Sequence, residues 1–348
     1  MIHAGTARRA TTIVLATLVA IAPVAGALPS MHTTGPTLTQ QRPGPPPDRL
    51  RAGVHRLPAD YHGGVFFAKA TIDGAGPFWF TIDTGATLTV IDPRTAGRLG
   101  LQVRDIGPRQ DVGTASGPTS MGTTRRAAIR VGDLALFTPQ RLFVVAVSAN
   151  EELLGHRVDG VLGTDFLSRH VLELDYRAGS VTAHDPGAFE HVGREAPIAI
   201  SLERNRLIAP ATLTLPDGDT LSARLLIDTG SNTRLTLNAP FVRRYRLIER
   251  FPSATLTASY GINGLTTSPL ITARSLALGA ASIEHPNTGL SRETSGLHAS
   301  ADFDGIIGAE LLKAFRVIVD YPRRQLILES PAAMPRPRPL HLPGVRSR

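Results

Sequence analysis

Two Asp-Thr-Gly triplets are the residues in this sequence whose types and spacing best suit chemistry. Asp83 follows the apolar run at 80–82, and Asp228 follows the apolar run at 225–227, so each carboxyl group lies at the end of a predicted strand. Two carboxyl groups that face one another cannot both ionise easily, and they share a proton. One group can then deprotonate a water molecule while the other donates to a carbonyl oxygen. Such a pair would hydrolyse an amide bond without a metal ion or a covalent intermediate.

The triplets belong to an internal repeat with an offset of 145 residues. An Asp-Gly-apolar-apolar-Gly motif begins at Asp159 and again at Asp304, and the segment 172–176 (Leu-Glu-Leu-Asp-Tyr) corresponds to 317–321 (Val-Ile-Val-Asp-Tyr). Three matches at one offset are not a chance event. The repeat predicts two homologous lobes, at about residues 55–188 and 197–330, with the joint near Asp185-Pro186-Gly187.

Short apolar runs bounded by turns fill both predicted lobes, for example at 64–72, 77–82, 207–213 and 221–227. Their alternating pattern predicts strands. Short helices are predicted at 93–99 and 240–245, where a proline marks the helix start, and at 165–170 and 309–315 after the second glycine of each Asp-Gly motif. We expect a mainly β fold of two β-barrel lobes, which a pseudo-twofold axis would relate so that Asp83 and Asp228 face one another.

The charge of the 348-residue chain is concentrated at its ends. The formal net charge is +8, but residues 1–27 and 331–348 contain arginines and no acidic residue, so the rest is nearly neutral. We therefore expect no nucleic-acid partner. Cysteine is absent, which excludes disulfides, thiolate metal sites and a cysteine nucleophile.

The N-terminus has the pattern of a targeting segment. Residues 1–9 are short and basic, residues 10–22 are mostly apolar, and Ala25-Gly26-Ala27 fits a signal-peptidase site. Residues 1–27 are predicted to be a cleaved secretory signal peptide, and an uncleaved anchor is the alternative. We expect a secreted or periplasmic protein with no stable membrane insertion after signal removal. Residues 28–54 are predicted to be a Pro-rich linker, and residues 331–348 a Pro/Arg-rich tail.

The paired Asp-Thr-Gly segments and the later apolar-apolar-Gly elements resemble aspartic proteases of the pepsin and retropepsin kind. The resemblance extends over about residues 60–328. The two-lobed single chain is the pepsin plan, whereas Gly163-Thr-Asp-Phe-Leu and Gly308-Ala-Glu-Leu-Leu look more like the retroviral type. The sequence resembles secreted bacterial retropepsin-like proteases.

The resemblance implies a role for each residue of the two loops. These residues are Asp83, Thr84, Gly85 and Ala86 in the first loop and Asp228, Thr229, Gly230 and Ser231 in the second. The aspartates would be the catalytic pair that holds the nucleophilic water. The threonine hydroxyls would cross-link the loops, and the glycine N–H groups would donate to the carboxylates. The elements at Gly163 and Gly308 would pack beneath the loops as structural support.

The two loops differ at the residue after the glycine, which is Ala86 in one and Ser231 in the other. A hydroxyl can stabilise an adjacent carboxylate and lower its pKa. We therefore expect Asp228 to be the more readily ionised partner and Asp83 to be the more readily protonated one.

Two segments lie where the family places a flap hairpin over its substrate. One is the Gly- and Ser-rich segment 111–122, which contains Gly117. The other runs from Tyr260 and Gly261 to Leu265 and contains an Asn-Gly hairpin signal. Either or both could close over a substrate, and an ordinary surface hairpin is the alternative.

Other chemistries find little support. The 11 histidines are scattered without a His-Glu-x-x-His pattern, so we expect no metal site and no cofactor. A Gly-x-Ser-x-Gly elbow is also missing. The expected function is an aspartic endopeptidase that acts as a monomer on a peptide or protein substrate. One alternative is a catalytically inactive peptide-binding protein of the cell envelope with the same fold. Another is a half-site enzyme that needs a homodimer, and the two lobes in one chain argue against it.

Overall fold

The computed structural model describes residues 52–114, 117–134, 137–139, 141–261 and 264–330. The predicted signal peptide, the predicted linker up to residue 51 and the predicted tail therefore lie outside the described residues. Within the described residues the fold is mainly β, as predicted. No helix in these ranges is both long and apolar enough to cross a membrane.

The first half of the described chain contributes strands β1 to β12. They are β1 (Val54–Arg56), β2 (Ala59–His62), β3 (Val65–Ile72), β4 (Ala75–Ile82), β5 (Val90–Ile91), β6 (Arg104–Thr114), β7 (Gly117–Thr124), β8 (Ile129–Val131), β9 (Leu142–Val144), β10 (Gly160–Leu162), β11 (Val171–Asp175) and β12 (Ser180–His184). β1 begins one residue before the predicted lobe boundary, because the carbonyl of Gly53 already accepts a hydrogen bond from the N–H of Asp185 at 2.8 Å.

The second half contributes strands β13 to β25. They are β13 (Ile198–Ala199), β14 (Ser201–Glu203), β15 (Arg206–Thr214), β16 (Thr220–Asp228), β17 (Leu235–Leu237), β18 (Thr255–Gly261), β19 (Gly264–Thr272), β20 (Ser275–Leu278), β21 (Ala281–Glu284), β22 (Asn287–Leu290), β23 (Gly305–Gly308), β24 (Arg316–Asp320) and β25 (Gln325–Glu329).

The helices are short. They are α1 (Pro93–Arg98), α2 (Glu151–Leu154), α3 (Thr164–Leu167), α4 (Ala239–Arg244), α5 (Leu247–Arg250) and α6 (Ala309–Leu312), with 3₁₀ turns at Ser148–Asn150 and Leu297–Ala299. The helices predicted at 93–99 and 240–245 are confirmed as α1 and α4. Those predicted at 165–170 and 309–315 are shorter than expected, because the chain leaves α3 and α6 through tighter i→i−3 turns before the next strand.

Each half forms one large sheet, and the two sheets share a central pattern. The first has the order β2-β3-β4-β10-β5-β9-β7-β6, with β8 on β3, and the second has the order β18-β19-β22-β17-β23-β16-β15-β20-β21, with β14 on β15. β10 runs parallel to β4 with Gly160 opposite Phe80, and β23 runs parallel to β16 with Gly305 opposite Leu225. The strand that leads into each Asp-Thr-Gly loop is therefore paired with the strand that contains the later glycine motif.

A third sheet joins the two halves. Its order is β1-β12-β11-β24-β25-β13, so three strands come from each half. β11 and β24 meet at its centre as an antiparallel pair. The largest apolar cluster also draws on both halves, for example on Phe66 and Phe80 of the first and on Leu225 and Val317 of the second. The two halves therefore share one continuous core.

An ion network spans the centre of this joining sheet. Arg316 on β24 donates to Glu173 on β11 at 3.1 Å and to Glu329 on β25 at 2.7 Å. His184 on β12 lies 3.2 Å from the carboxylate of Glu173. Burial opposes ionisation of Glu173, but the hydrogen bond from His184 and the charge of Arg316 outweigh it and lower its pKa. The network therefore links β12, β11, β24 and β25 across the boundary between the halves.

We predict that Arg316→Met destabilises the protein by about 3 kcal/mol, because the side chain of Glu329 is only 5% exposed and loses its guanidinium partner. Urea denaturation measures the loss. The matched control is Lys313→Met, which removes an exposed pair with Glu310 and should cost less than about 0.5 kcal/mol. Equal losses in the two variants would contradict a structural role for the network.

Candidate active site

The candidate aspartates lie where two strands end. Asp83 directly follows β4, and its N–H donates to the carbonyl of Leu162 on β10 at 3.1 Å. Asp228 is the last residue of β16 and is paired in register with Gly308 of β23. In both cases a parallel neighbouring strand fixes the backbone of the aspartate before the loop begins.

Backbone N–H groups of the loops hold the carboxylates. Oδ1 of Asp83 accepts from the N–H groups of Gly85 at 2.8 Å and Ala86 at 2.9 Å. Oδ1 of Asp228 accepts from the N–H of Gly230 at 3.0 Å. The carboxylates thus point in directions that the loop backbones impose.

The glycines bring each loop against the aspartate of the other loop. A Cβ on Gly85 would lie 2.6 Å from Cγ of Asp228, and a Cβ on Gly230 would overlap Cγ of Asp83. Any side chain at these positions would push the loops apart. The two carboxyl groups are consequently close enough to hydrogen-bond to one another when one is protonated.

The two threonines connect the loops by a reciprocal exchange of hydrogen bonds. Oγ1 of Thr84 donates to the carbonyl of Ile227 at 2.6 Å and accepts from the N–H of Thr229 at 3.1 Å. Oγ1 of Thr229 donates to the carbonyl of Ile82 at 2.8 Å and accepts from the N–H of Thr84 at 3.2 Å. Both threonines are fully buried. These are the contacts that the family resemblance implies for them.

Burial raises the pKa of both aspartates. The pKa of Asp228 rises well above its usual value because the charge of Asp83 adds to the effect of burial. The rise for Asp83 is opposed by the N–H groups of Ala86 and Gly85, which stabilise its ionised form. A proton shared by the pair therefore favours Asp228.

The predicted order of ionisation is wrong in this structure. The Ser231 hydroxyl, which was expected to stabilise the Asp228 carboxylate, pairs instead with Oγ1 of Thr233 at 2.8 Å. Ala86 has no hydroxyl, but its backbone N–H gives Asp83 a second donor. Both donors of Asp83 meet hydrogen-bond geometry. For Asp228 the N–H of Gly230 does so at 3.0 Å and that of Ser231 acts more weakly. Asp83 is therefore the more readily ionised partner.

The later glycine motifs support the ends of both loops. The N–H of Thr164 donates to the carbonyl of Ala86 at 2.8 Å, and the N–H of Ala309 donates to the carbonyl of Ser231 at 2.7 Å. The first turns of α3 and α6 thus fix corresponding positions of the two loops. This is the supporting position that the resemblance implies for the Gly163 and Gly308 elements.

A polar contact that the sequence analysis did not identify strengthens the first loop alone. Both the N–H and the hydroxyl of Thr89 donate to Oδ1 of Asp165 at 2.7 Å. The corresponding residues of the second half are Arg234 and Glu310, and the side chain of Glu310 pairs with Lys313 instead. The sequence indicates this difference, because Thr89 corresponds to Arg234 and Asp165 corresponds to Glu310 at the offset of 145 residues.

Two tyrosines near the aspartates were also missed. Tyr176 and Tyr321 are buried, and burial raises the pKa of both. The negative charge of Asp228 raises the pKa of Tyr176 further, and that of Asp83 does the same for Tyr321. Each tyrosine therefore lies within electrostatic range of the aspartate from the opposite half. The sequence could have indicated both tyrosines, because they end the third match of the repeat, 172–176 with 317–321.

Both predicted flap segments form hairpins. β6 and β7 pair up to Thr114 opposite Gly117, and β18 and β19 pair up to Gly261 opposite Gly264, with Tyr260 one position earlier. The two hairpin tips, at 115–116 and 262–263, lie outside the described residues. Apolar residues of the first hairpin, Ile106 and Met121, belong to the same cluster as the loop residues Ala86 and Leu88.

A family model described as Aspartyl protease matches residues 68–166. The match supports an aspartyl protease family. The matched segment begins in β3 and ends in α3, so it contains the Asp83 loop, the first hairpin and the Gly163 motif. A search of curated proteins gave no match.

We predict that Thr84→Val destabilises the protein by about 2–4 kcal/mol. Valine keeps the shape of threonine, but the buried N–H of Thr229 and the buried carbonyl of Ile227 then lose their partner. Chemical denaturation measures the change. Thr84→Ser keeps the hydroxyl and should recover most of the loss, whereas an equally unstable serine variant would contradict the proposed contacts.

We also predict that the aspartate pair makes the stability of the protein depend on pH. Because the folded-state pKa of each aspartate lies above its usual value of 3.8, their contribution to stability is fully present below pH 3.8 and is lost as the pH rises through the raised pKa values. Asp228→Asn should therefore be more stable than the wild type at neutral pH, with the difference shrinking towards acid. Urea unfolding at several pH values checks this.

The control for this measurement is Glu152→Gln, which removes an exposed carboxylate. It should leave the pH profile of stability unchanged. If the profile of Asp228→Asn also matches that of the wild type, the raised pKa of the pair is refuted.

Proposed function

We propose that this protein is an aspartic endopeptidase that hydrolyses peptide bonds with Asp83 and Asp228. The observation that carries the proposal is the buried, face-to-face pair of carboxyl groups, held by the reciprocal hydrogen bonds of Thr84 and Thr229. Two carboxyl groups in such a position hold one proton between them over a broad pH range. The match of residues 68–166 to an aspartyl protease family supports the same conclusion.

The asymmetry of the pair assigns the two roles. Asp83, the more readily ionised group, takes a proton from a water molecule while the water oxygen bonds to the carbonyl carbon of the substrate. Asp228, which holds the shared proton, donates it to the carbonyl oxygen. The tetrahedral intermediate collapses when Asp83 returns its proton to the amide nitrogen, the C–N bond breaks, and Asp228 recovers a proton from the hydroxyl group.

The two halves are proposed to be homologous lobes, 55–188 and 197–330, related by a pseudo-twofold axis. The register of β11 and β24 supports this arrangement. Val171 lies opposite Asp320, and Asp175 lies opposite Arg316. At the offset of 145 residues Val171 corresponds to Arg316 and Asp175 corresponds to Asp320, so each of these two pairs is the repeat of the other. A twofold axis through the middle of the pair requires this correspondence. A single chain then supplies both halves of the site, which favours an active monomer over a homodimer.

The first hairpin is the better candidate for a flap over the substrate. Ile106 of β6 and Met121 of β7 pack in one cluster with Ala86 and Leu88, which follow Asp83. A movement of this hairpin would therefore change its packing against the loop that contains Asp83. A substrate peptide would be an extended segment of a peptide or protein that reaches the dyad beneath the hairpin. The predicted signal peptide at 1–27 favours substrates outside the cytoplasm.

The test is cleavage of a peptide library by the purified protein between pH 3 and pH 7. Asp83→Asn and Asp228→Asn should each lower kcat/KM by about 10²–10⁴-fold, because each removes one partner of the acid–base pair. Asp133→Asn, which changes an exposed carboxylate, should retain full activity. A statine-type transition-state mimic should inhibit the wild type.

The inactive peptide-binding alternative predicts a different result. In that case the wild type and both aspartate variants are equally inert at every pH, although peptides still bind. Such a result would exclude the endopeptidase proposal.

A further inference from the structure

Three metal-ligating side chains converge outside the candidate active site. They are Asp60 and His62 of β2 and His156, which follows α2. One oxygen or nitrogen atom from each lies within 4.8 Å of the others. Asp60 and His62 are two residues apart on a strand and so project from the same face. No metal site was expected because the histidines are scattered without a His-Glu-x-x-His pattern, and His156 indeed lies far along the chain from Asp60 and His62.

The surrounding fold holds these side chains in place. The ring of His156 packs against Phe67 and Trp79, with centroid distances of 4.2 Å and 4.7 Å. The turn after β2 packs directly on the end of α2, where a Cβ on Gly63 would lie 2.7 Å from the carbonyl oxygen of Leu154. This close backbone contact keeps β2 and the segment after α2 together.

A hydrogen bond outside the cluster prepares His156 as a metal ligand. Its Nδ1 lies 2.8 Å from the carbonyl oxygen of Arg157. Since a carbonyl oxygen only accepts, Nδ1 is the donor in this hydrogen bond, and in the neutral ring the lone pair of Nε2 is then free. That Nε2 atom lies 4.0 Å from Oδ2 of Asp60. Metal-binding histidines commonly donate their second ring N–H to a backbone carbonyl in this way.

The spacing of the two imidazole rings also fits a shared ion. The ring centroids of His62 and His156 are 4.9 Å apart. Two imidazoles bound to one tetrahedral ion, with bonds of about 2 Å, have centroids about 5 Å apart. Two neutral imidazoles and one carboxylate suit borderline divalent cations such as Zn²⁺ better than Mg²⁺ or Ca²⁺, which prefer oxygen ligands.

We propose that Asp60, His62 and His156 form a binding site for a divalent transition-metal ion of the zinc type. Three protein ligands leave a fourth position open to water, since Asp60 and His62 are exposed. Gly64, two residues after His62, lies beside Asn232, which follows Asp228 in the second loop, since a Cβ on Gly64 would lie 3.0 Å from Cβ of Asn232. A bound ion would therefore fix the turn that packs against this loop.

A second histidine-containing group, His191, Glu195 and Glu329, provides the matched control. There Glu329 already accepts from Arg316, and Nε2 of His191 bonds to the carbonyl of Glu195. The carboxylate of Glu329 in that group is buried and already paired with Arg316, whereas the carboxylate of Asp60 is exposed.

The test is calorimetric titration of the metal-free, full-length protein with Zn²⁺. The wild type should bind one equivalent, and His62→Gln and Asp60→Asn, which change exposed side chains, should each weaken binding at least tenfold. His191→Gln should bind as the wild type does. With Cu²⁺ as a probe, electron paramagnetic resonance should detect two coordinating nitrogens in the wild type and one in His62→Gln.

The melting temperature gives a second readout. Zn²⁺ should raise it in the wild type and in His191→Gln but not in His62→Gln. The proposal is overturned if the wild type binds no Zn²⁺, if the affinity is the same in His62→Gln and Asp60→Asn as in the wild type, or if His191→Gln alone abolishes binding.

Discussion

The interaction on which the structure depends is the exchange of hydrogen bonds between Thr84 and Thr229. It holds two loops together although each loop brings a buried carboxyl group towards the other, and like charges at short range repel strongly in a poorly solvated site. Each hydroxyl satisfies one donor and one acceptor of the opposite loop backbone. Because these hydrogen bonds hold the loops together, the repulsion between the aspartates does not separate the loops. It raises the pKa values of the aspartates instead.

This exchange requires that two distant parts of the chain arrive in register. β10 and β23 supply the register within each half, because they run parallel to the strands that end at the aspartates. The joining sheet and the Arg316 network supply it between the halves, since β11 and β24 pair directly. Backbone pairing within each half and the joining sheet between the halves thus contribute to the spacing of the two loops.

The aspartates, the strands around them and α1 and α4 were predictable, because an apolar period of two, a repeat offset and a proline at a helix start are local signals. The partner of the Ser231 hydroxyl was not predictable, since Thr233 and Asp228 are both within its reach in the sequence and only the folded loop selects one. The grouping of Asp60 with His156 depends on the packing of Gly63 against Leu154, a backbone contact that no residue spacing encodes.

The differences between the repeats bear on the proposed division of labour between the aspartates. A base that must stay ionised needs fixed donors, and Asp83 has two backbone N–H groups in a loop that Thr89 and Asp165 brace. An acid that keeps a proton gains little from such donors. In the second loop Gly230 is the donor within hydrogen-bond geometry, and the N–H of Ser231 acts more weakly. The position that corresponds to Thr89 is Arg234. In the proposed mechanism, this difference between the two loops matches the assignment of Asp83 as the base and Asp228 as the acid.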